Sequence, residues 1–473
     1  MITAAPVVIT RLTALSALAY ALCWLLPNHH VPWVDFYSDA WAALVLWVVG
    51  AVVFWRSGRD APLAWHALPL MALAWLGIVW VQYGAGLIQM LGVAWTSGLY
   101  LGGVTLALLL GAAWERWRPG QCADFLFMAV LAGATGSLLI QLQQWLALNP
   151  GAAFWLFAPA PRTRFYANLG QPNQLASLLC LGVLACAWLH QRGRLPGWLA
   201  LVWALPLALG IALTESRTSW VVVFLSVAAL IAWRRRLTDA RPIMAGALGW
   251  TGVFAMCVVA LPRINVWLGH RDELRSLGDI STGSLRLEYW AKLGEALLHR
   301  PWSGYGWTQT SFAQFTVDPY GIVTGGTMRH AHNLVVDIGV GMGIPLGLAV
   351  SLALALWVLR AGRSIRRMEQ LLMLLFVTAL GVHAMLEFPL HYAYFLLPIG
   401  MMMGALNVAL DFRPVLRSSR WVAGAAMALV ALGLGITARD YIRIEEDFFA
   451  LRFEHQRLAP QGAYAAPDTL ALT

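Results

Sequence analysis

Residues 371–386 read LLMLLFVTALGVHAML and residues 392–410 read YAYFLLPIGMMMGALNVAL, with only EFPLH between them. Neither run alternates polar and apolar positions, so neither fits a strand half buried on a sheet. Each approaches the about 20 residues that a helix needs to cross a bilayer. Working outward, similar windows stand at 10–27, 40–56, 62–83, 93–114, 123–148, 175–190, 198–214, 219–233, 243–261, 333–359 and 421–437. Most are apolar all round and rich in Leu, Ala, Val and Trp, as helices in lipid are. Barrel strands would need short alternating segments instead. The chain reads as an all-α polytopic membrane protein with 12–13 transmembrane helices.

Composition agrees. Of 473 residues, 60% are hydrophobic and 12% charged, about half the charged fraction of a soluble domain. Disordered, collagen-like and disulfide-rich classes are excluded. The five cysteines (Cys23, Cys122, Cys180, Cys186, Cys257) lack disulfide or metal-ligand spacing and read as small buried apolar residues. The net charge of +9 comes from 31 arginines and one lysine, Lys292. In a soluble protein this would suggest nucleic acid; here it is topological, because basic residues gather on the cytoplasmic side. No nucleic-acid partner is expected.

The joining segments alternate in charge. Arg56–Arg59, Arg116–Arg118, Arg192–Arg194, Arg234–Arg241, Arg360–Arg367 and Arg413–Arg420 carry 17 arginines and read as cytoplasmic. The opposite set, 28–39, 149–174, 262–332, 387–391 and the tail from 438, reads as the outer face. That makes one membrane domain over 1–437, with a large outer loop at 262–332 and a tail over 438–473. Fourteen basic residues lie on the outer face against the positive-inside rule, among them Arg162, Arg164, Arg217, Arg286 and Arg329. Arg217 stands in a loop of only a few residues, TESRTS, where a charge at membrane depth needs a partner. It reads as part of an anion site, the plainer reading being an ion pair with Glu215 or a lipid headgroup.

Within 262–332, residues 284–298 predict an amphipathic helix. Arg286, Trp290, Leu293 and Leu297 share one face, and Glu288, Lys292 and Glu295 another. Its aromatic character suggests a membrane-surface anchor. Pro301 ends it, and Gly304-Tyr305-Gly306-Trp307 reads as a flexible turn. The loop closes on Arg329-His330-Ala331-His332-Asn333, just before a span containing Asp337. No H-E-x-x-H or D-x-D motif accompanies these histidines, so a metal is not expected. A single histidine at the membrane face suits general-base work near neutral pH, against the bland alternative of a histidine capping a span. No phosphate-cradling P-loop or nucleophile elbow occurs. The polar residues concentrate on one outer face, which suits an enzyme with a membrane-borne substrate better than the alternative, a lipid or polysaccharide transporter.

RFYANLGQPNQLA (164–176), ESRTSW (215–220), RLEYW followed by PWSGYG (286–306) and HAHN (330–333) stand in this order along the chain. Together they resemble the bacterial O-antigen ligase superfamily, which includes O-antigen ligases, O-antigen polymerases and protein O-oligosaccharyltransferases. The resemblance covers most of the chain from about 150 to 450. It implies a GT-C-like glycosyltransferase of the bacterial inner membrane with a periplasmic site. The donor would be a glycan on undecaprenyl diphosphate, and no metal or cofactor is implied. By this resemblance His332 and Arg217 are the catalytic pair, with Arg162, Arg164, Arg286, Arg329 and His330 on the donor. The chemistry agrees: an acceptor hydroxyl must lose its proton, and a departing diphosphate needs a fork of cationic donors. QPNQ (171–174) and LEFPLHYAYF (386–395) lean toward protein O-oligosaccharyltransferases, although His391 stands where those enzymes commonly have tryptophan. They also usually carry a substantial periplasmic C-terminal domain, whereas here only 438–473 follow the last span. That short tail fits a lipopolysaccharide ligase or else a truncated chain, and it puts lipid A–core narrowly ahead as acceptor, with a protein serine or threonine second and a growing O-antigen third.

Overall fold

A computed structural model describes residues 11–29, 31–57, 62–148, 164–237, 240–269, 282–321 and 326–456. Sixteen α-helices lie within them. The first nine are Arg11–Ala21 (α1), Phe36–Arg56 (α2), Ala67–Gly84 (α3), Leu91–Trp117 (α4), Gln121–Trp145 (α5), Pro172–Gln191 (α6), Gly197–Leu213 (α7), Arg217–Trp233 (α8) and Ala240–Trp267 (α9). Thr282–His299 (α10) and Thr310–Val317 (α11) follow in the large loop. The rest are Leu334–Met342 (α12), Ile344–Ser364 (α13), Met368–Ala384 (α14), Ala393–Ala409 (α15) and Trp421–His455 (α16). Eight are long and apolar enough to cross a membrane, and α7, α8, α14 and α15 are shorter apolar helices. Every window expected to span falls on a helix. The protein is an all-α polytopic membrane protein.

Two windows differ in extent. The run 333–359 is not one helix but two, because Gly343 takes φ 82° and ψ 168°, a conformation only glycine adopts freely. The turn of Pro301–Trp302 packs directly against Gly343: a Cβ there would stand 2.4 Å from the Trp302 carbonyl oxygen. The last helix continues unbroken through position 437 to His455.

Helices α4 and α15 form the centre and touch backbone to backbone. A Cβ on Gly111 would lie 1.9 Å from the carbonyl oxygen of Met401, and one on Gly404 2.0 Å from that of Leu108. Small residues permit this approach where lipid offers helices no hydrophobic drive to associate.

The two sets of loops gather at opposite ends. At the arginine-rich end, Leu63–Trp65 (β1) pairs antiparallel with Leu416–Ser418 (β2), joining the first and last basic loops. Arg192 and Arg194 reach Asp124 at the start of α5, at 3.3 and 3.8 Å. Trp233 donates to the Gly362 carbonyl, tying the remaining two. At the other end, Tyr441 donates to the Trp33 carbonyl, Asn173 to Glu387, and Asn333 to the Met385 carbonyl.

The amphipathic helix forms as expected in α10, but its apolar face does not meet the bilayer. Leu293 and Ala296 are fully buried with Tyr305, Ala313, Met328, Ala331 and Val340, and Trp290 donates to the Ala331 carbonyl. The face is covered by α11 and α12. The glycine turn is likewise docked, not loose. Tyr305 N–H donates to Val340 O at 2.8 Å, and a Cβ on Gly304 would meet that same oxygen at 2.4 Å.

Candidate active site

The His-Ala-His-Asn segment is built by its neighbours. Asn333 caps α12, its side-chain oxygen accepting from the N–H groups of Val335 and Val336 at 3.0 and 3.2 Å. Ala331 is buried, its N–H bound to Asp337 Oδ1 at 2.8 Å and its carbonyl to Trp290. Only the two histidines project. His332 itself takes φ 53°, a left-handed conformation of a kind that clusters at functional positions.

Between α14 and α15, the EFPLH segment faces them. His332 Nδ1 lies 2.6 Å from Glu387 Oε2. Arg286, from α10, pairs with Glu387 Oε1, which also accepts from Asn173 Nδ2 at 3.1 Å. Glu387 is 5% exposed. Burial opposes its charge, but the hydrogen bond and charge of His332, with the charges of Arg286 and His383, hold the carboxyl below its ordinary range. An ionised Glu387 makes Nδ1 the protonated nitrogen of His332 and leaves Nε2 as a base. Among the described residues nothing bonds Nε2, and the ring lines a cavity of about 1010 Å³.

His330 is a different kind of group. Its ring lies 4.6 Å from Phe388 and 4.0 Å from His391, centroid to centroid. Burial, then the neighbouring charges of His391, His332 and Arg329, lower its pKa to about 2. It is a neutral ring that offers a hydrogen bond and no charge. The cavity is also lined by exposed Arg329 and by Trp33, Asp35, Asp39, Tyr100, Gln171 and Trp307, and it deepens between apolar residues of α3, α4 and α15.

The structure therefore brings together His332, Arg286, Arg329 and His330. Arg217 and Arg164 are at the same end of the bundle but do not line the cavity. Arg217 is exposed at the start of α8, and Arg164 Nη1 donates to the Glu215 carbonyl at 3.3 Å. Arg162 lies outside the described residues. Glu387, Asn173 and His391 complete the site, and sequence reading did not place them there. The signal available was a carboxylate isolated between two apolar runs, since intramembrane acids are costly and usually partnered.

The chain is also similar in sequence to known proteins. The O-antigen ligase family matches residues 199–351, the C-terminal part of a virulence factor membrane-bound polymerase family matches 348–458, and a protein glycosylation ligase family matches 166–190. A general O-oligosaccharyltransferase of Acinetobacter baylyi is 31% identical over 417 residues, 84% of this chain and 70% of the relative. A ComP-specific O-oligosaccharyltransferase of the same species is 28% identical over 275 residues, 57% of this chain and half of the relative. By these matches the chain belongs to the bacterial O-antigen ligase superfamily and is a membrane glycosyltransferase.

Proposed function

We propose that the protein is a protein O-oligosaccharyltransferase of the bacterial inner membrane. It moves a preassembled glycan from undecaprenyl diphosphate to a serine or threonine hydroxyl at the periplasmic face. The observation that carries this reading is the His332–Glu387 pair at the cavity wall. The named relatives and the match to a protein glycosylation ligase favour protein over lipid A–core as acceptor.

In this mechanism the acceptor hydroxyl approaches His332 Nε2 and gives up its proton as its oxygen attacks the anomeric carbon of the donor. Glu387 orients the ring and stabilises the imidazolium that forms. The bond from the anomeric carbon to the diphosphate oxygen breaks, and its electron pair leaves with the phosphate. Arg329 and the free donors of Arg286 offset the growing negative charge. Arg164 and Arg217 extend the cationic surface along the same end.

The test is reconstitution of the purified protein with a lipid-linked glycan, offered a pilin-like protein and lipid A–core in parallel. Glycan on serine or threonine of the protein is the expected product. Transfer to lipid A–core alone would reverse the choice of acceptor. Movement of the lipid-linked glycan across vesicles without transfer would make the protein a transporter.

A further inference from the structure

The carboxylate of Asp39 belongs to α2, far in sequence from the histidine segment, yet it ends on the backbone that carries Glu387. We infer that Asp39 is a positioning residue for the active site, acting as a helix cap supplied from another helix. This rests on the site reading given above.

Helix α15 starts at Ala393, and its own N-cap, Tyr392, contributes no side-chain hydrogen bond. The first N–H groups of a helix need acceptors, and a buried one left without is costly. Asp39 Oδ1 accepts from Ala393 N–H at 2.6 Å and from Tyr394 N–H at 3.4 Å. The second oxygen accepts from the Tyr100 hydroxyl of α4. Asp39 is 5% exposed, so one closed carboxylate joins α2, α4 and α15.

The consequence lies just upstream of α15. Residues 387–392 form a short bridge whose first end is fixed to α14 by Glu387 N–H on the His383 carbonyl at 2.8 Å. Its far end is fixed at Ala393 by Asp39. Between these anchors stand Glu387, which holds His332, and Phe388 and His391, whose rings pack on the two histidines. Removing the far anchor frees the bridge to shift, and a shift of about 1 Å in a catalytic group can cost about 100-fold in rate.

The test separates a cap from a substrate-binding charge. Asparagine keeps a carbonyl oxygen for Ala393 N–H and loses the charge, whereas alanine keeps neither. Asp39→Ala is expected to lower kcat about 100-fold, with the KM for the lipid-linked glycan within about twofold of wild type. Asp39→Asn is expected to restore kcat to within about tenfold of wild type, one step of about 1.4 kcal/mol. Asparagine as inactive as alanine, in folded protein, would mean that the charge itself is used and the cap reading is wrong. A fully active Asp39→Ala would overturn it as well. Should Asp39→Ala not fold, Asp39→Asn and Tyr100→Phe decide: active asparagine with a kcat-only loss in Tyr100→Phe supports the cap, and inactive asparagine overturns it. His332→Ala is assayed alongside. If it transfers normally, the site reading has failed; if it is inactive while Asp39→Ala is fully active, only the present inference has failed.

Discussion

Asp124 and Glu387 stand at opposite ends of the same bundle, each nearly closed to solvent, at 0% and 5% exposure. Both are held by arginine and by a ring nitrogen. Asp124 accepts from Trp188 Nε1 at 2.9 Å and meets Arg192 and Arg194. Glu387 meets Arg286 and His332. The difference is in the ring. Indole nitrogen only donates, so the Asp124 cluster is chemically finished. Imidazole has a second nitrogen, and His332 carries it at a cavity wall. The same buried-carboxylate arrangement ties loops at one end and holds an imidazole at a cavity wall at the other. Asp124 is not among the residues lining that cavity, and it serves the fold.

The comparison breaks first on His332. His332→Ala should abolish measurable transfer, a loss of at least 10²–10⁴-fold for a general base, while the lipid-linked glycan still binds in a direct binding assay. Near-normal turnover would leave the two clusters alike. The paired substitutions Glu387→Gln and Asp124→Asn sharpen the contrast. Glu387→Gln should reduce kcat about 100-fold, the scale of a lost orienting or charge-stabilising contact, and should lower the melting temperature as well, because it too breaks a buried ion pair. Asp124→Asn should lower stability, by about 3–5 kcal/mol for a broken buried ion pair, and leave kcat in the folded protein little changed. If Asp124→Asn loses kcat as Glu387→Gln does, the distinction drawn here is wrong.

Arg217→Lys gives a smaller effect. An ammonium cannot reproduce a guanidinium fork, and a diphosphate contact at this exposed position should raise donor KM about tenfold. Unchanged kinetics would restrict Arg217 to bonding within its own turn. The smallest effect is with pH. Glu387 is held below its ordinary range near 4.5, so its contribution to stability is complete above that value and is lost as pH falls through the folded-state pKa. Thermal melting in detergent should therefore weaken only at pH below about 4.5 from this group, and less so in Glu387→Gln. Weakening that begins near neutrality and disappears in Glu387→Gln would mean that the carboxyl is not held down.

The spans were legible because length and unbroken apolarity are properties of a single segment. The gathering of arginine loops was legible because sidedness repeats six times. The break at Gly343 was not, since GVGMGIPLGLAV is apolar on both sides and only the docked Pro301–Trp302 backbone selects which glycine turns. An amphipathic face looks the same whether lipid or protein covers it, so α10 was assigned the wrong neighbour. His332 stood out as a lone histidine at a junction. Its partner did not, because nothing in residues 330–333 specifies a contact 55 positions away. Arg286 was chosen for phosphate, and its ion pair with Glu387 was invisible for the same reason.

The single lysine has a practical consequence. Lys292 lies on the outward face of α10, paired with Glu295 at 2.9 Å, one residue from fully buried Leu293 and six from Arg286. With arginine everywhere else, an amine-directed fluorophore used at alkaline pH has one side chain to modify, apart from the chain's own α-amine. The protein carries its own labelling site on the helix whose Arg286 pairs with Glu387. Any rearrangement of that helix as a donor arrives becomes an optical signal that requires no mutation.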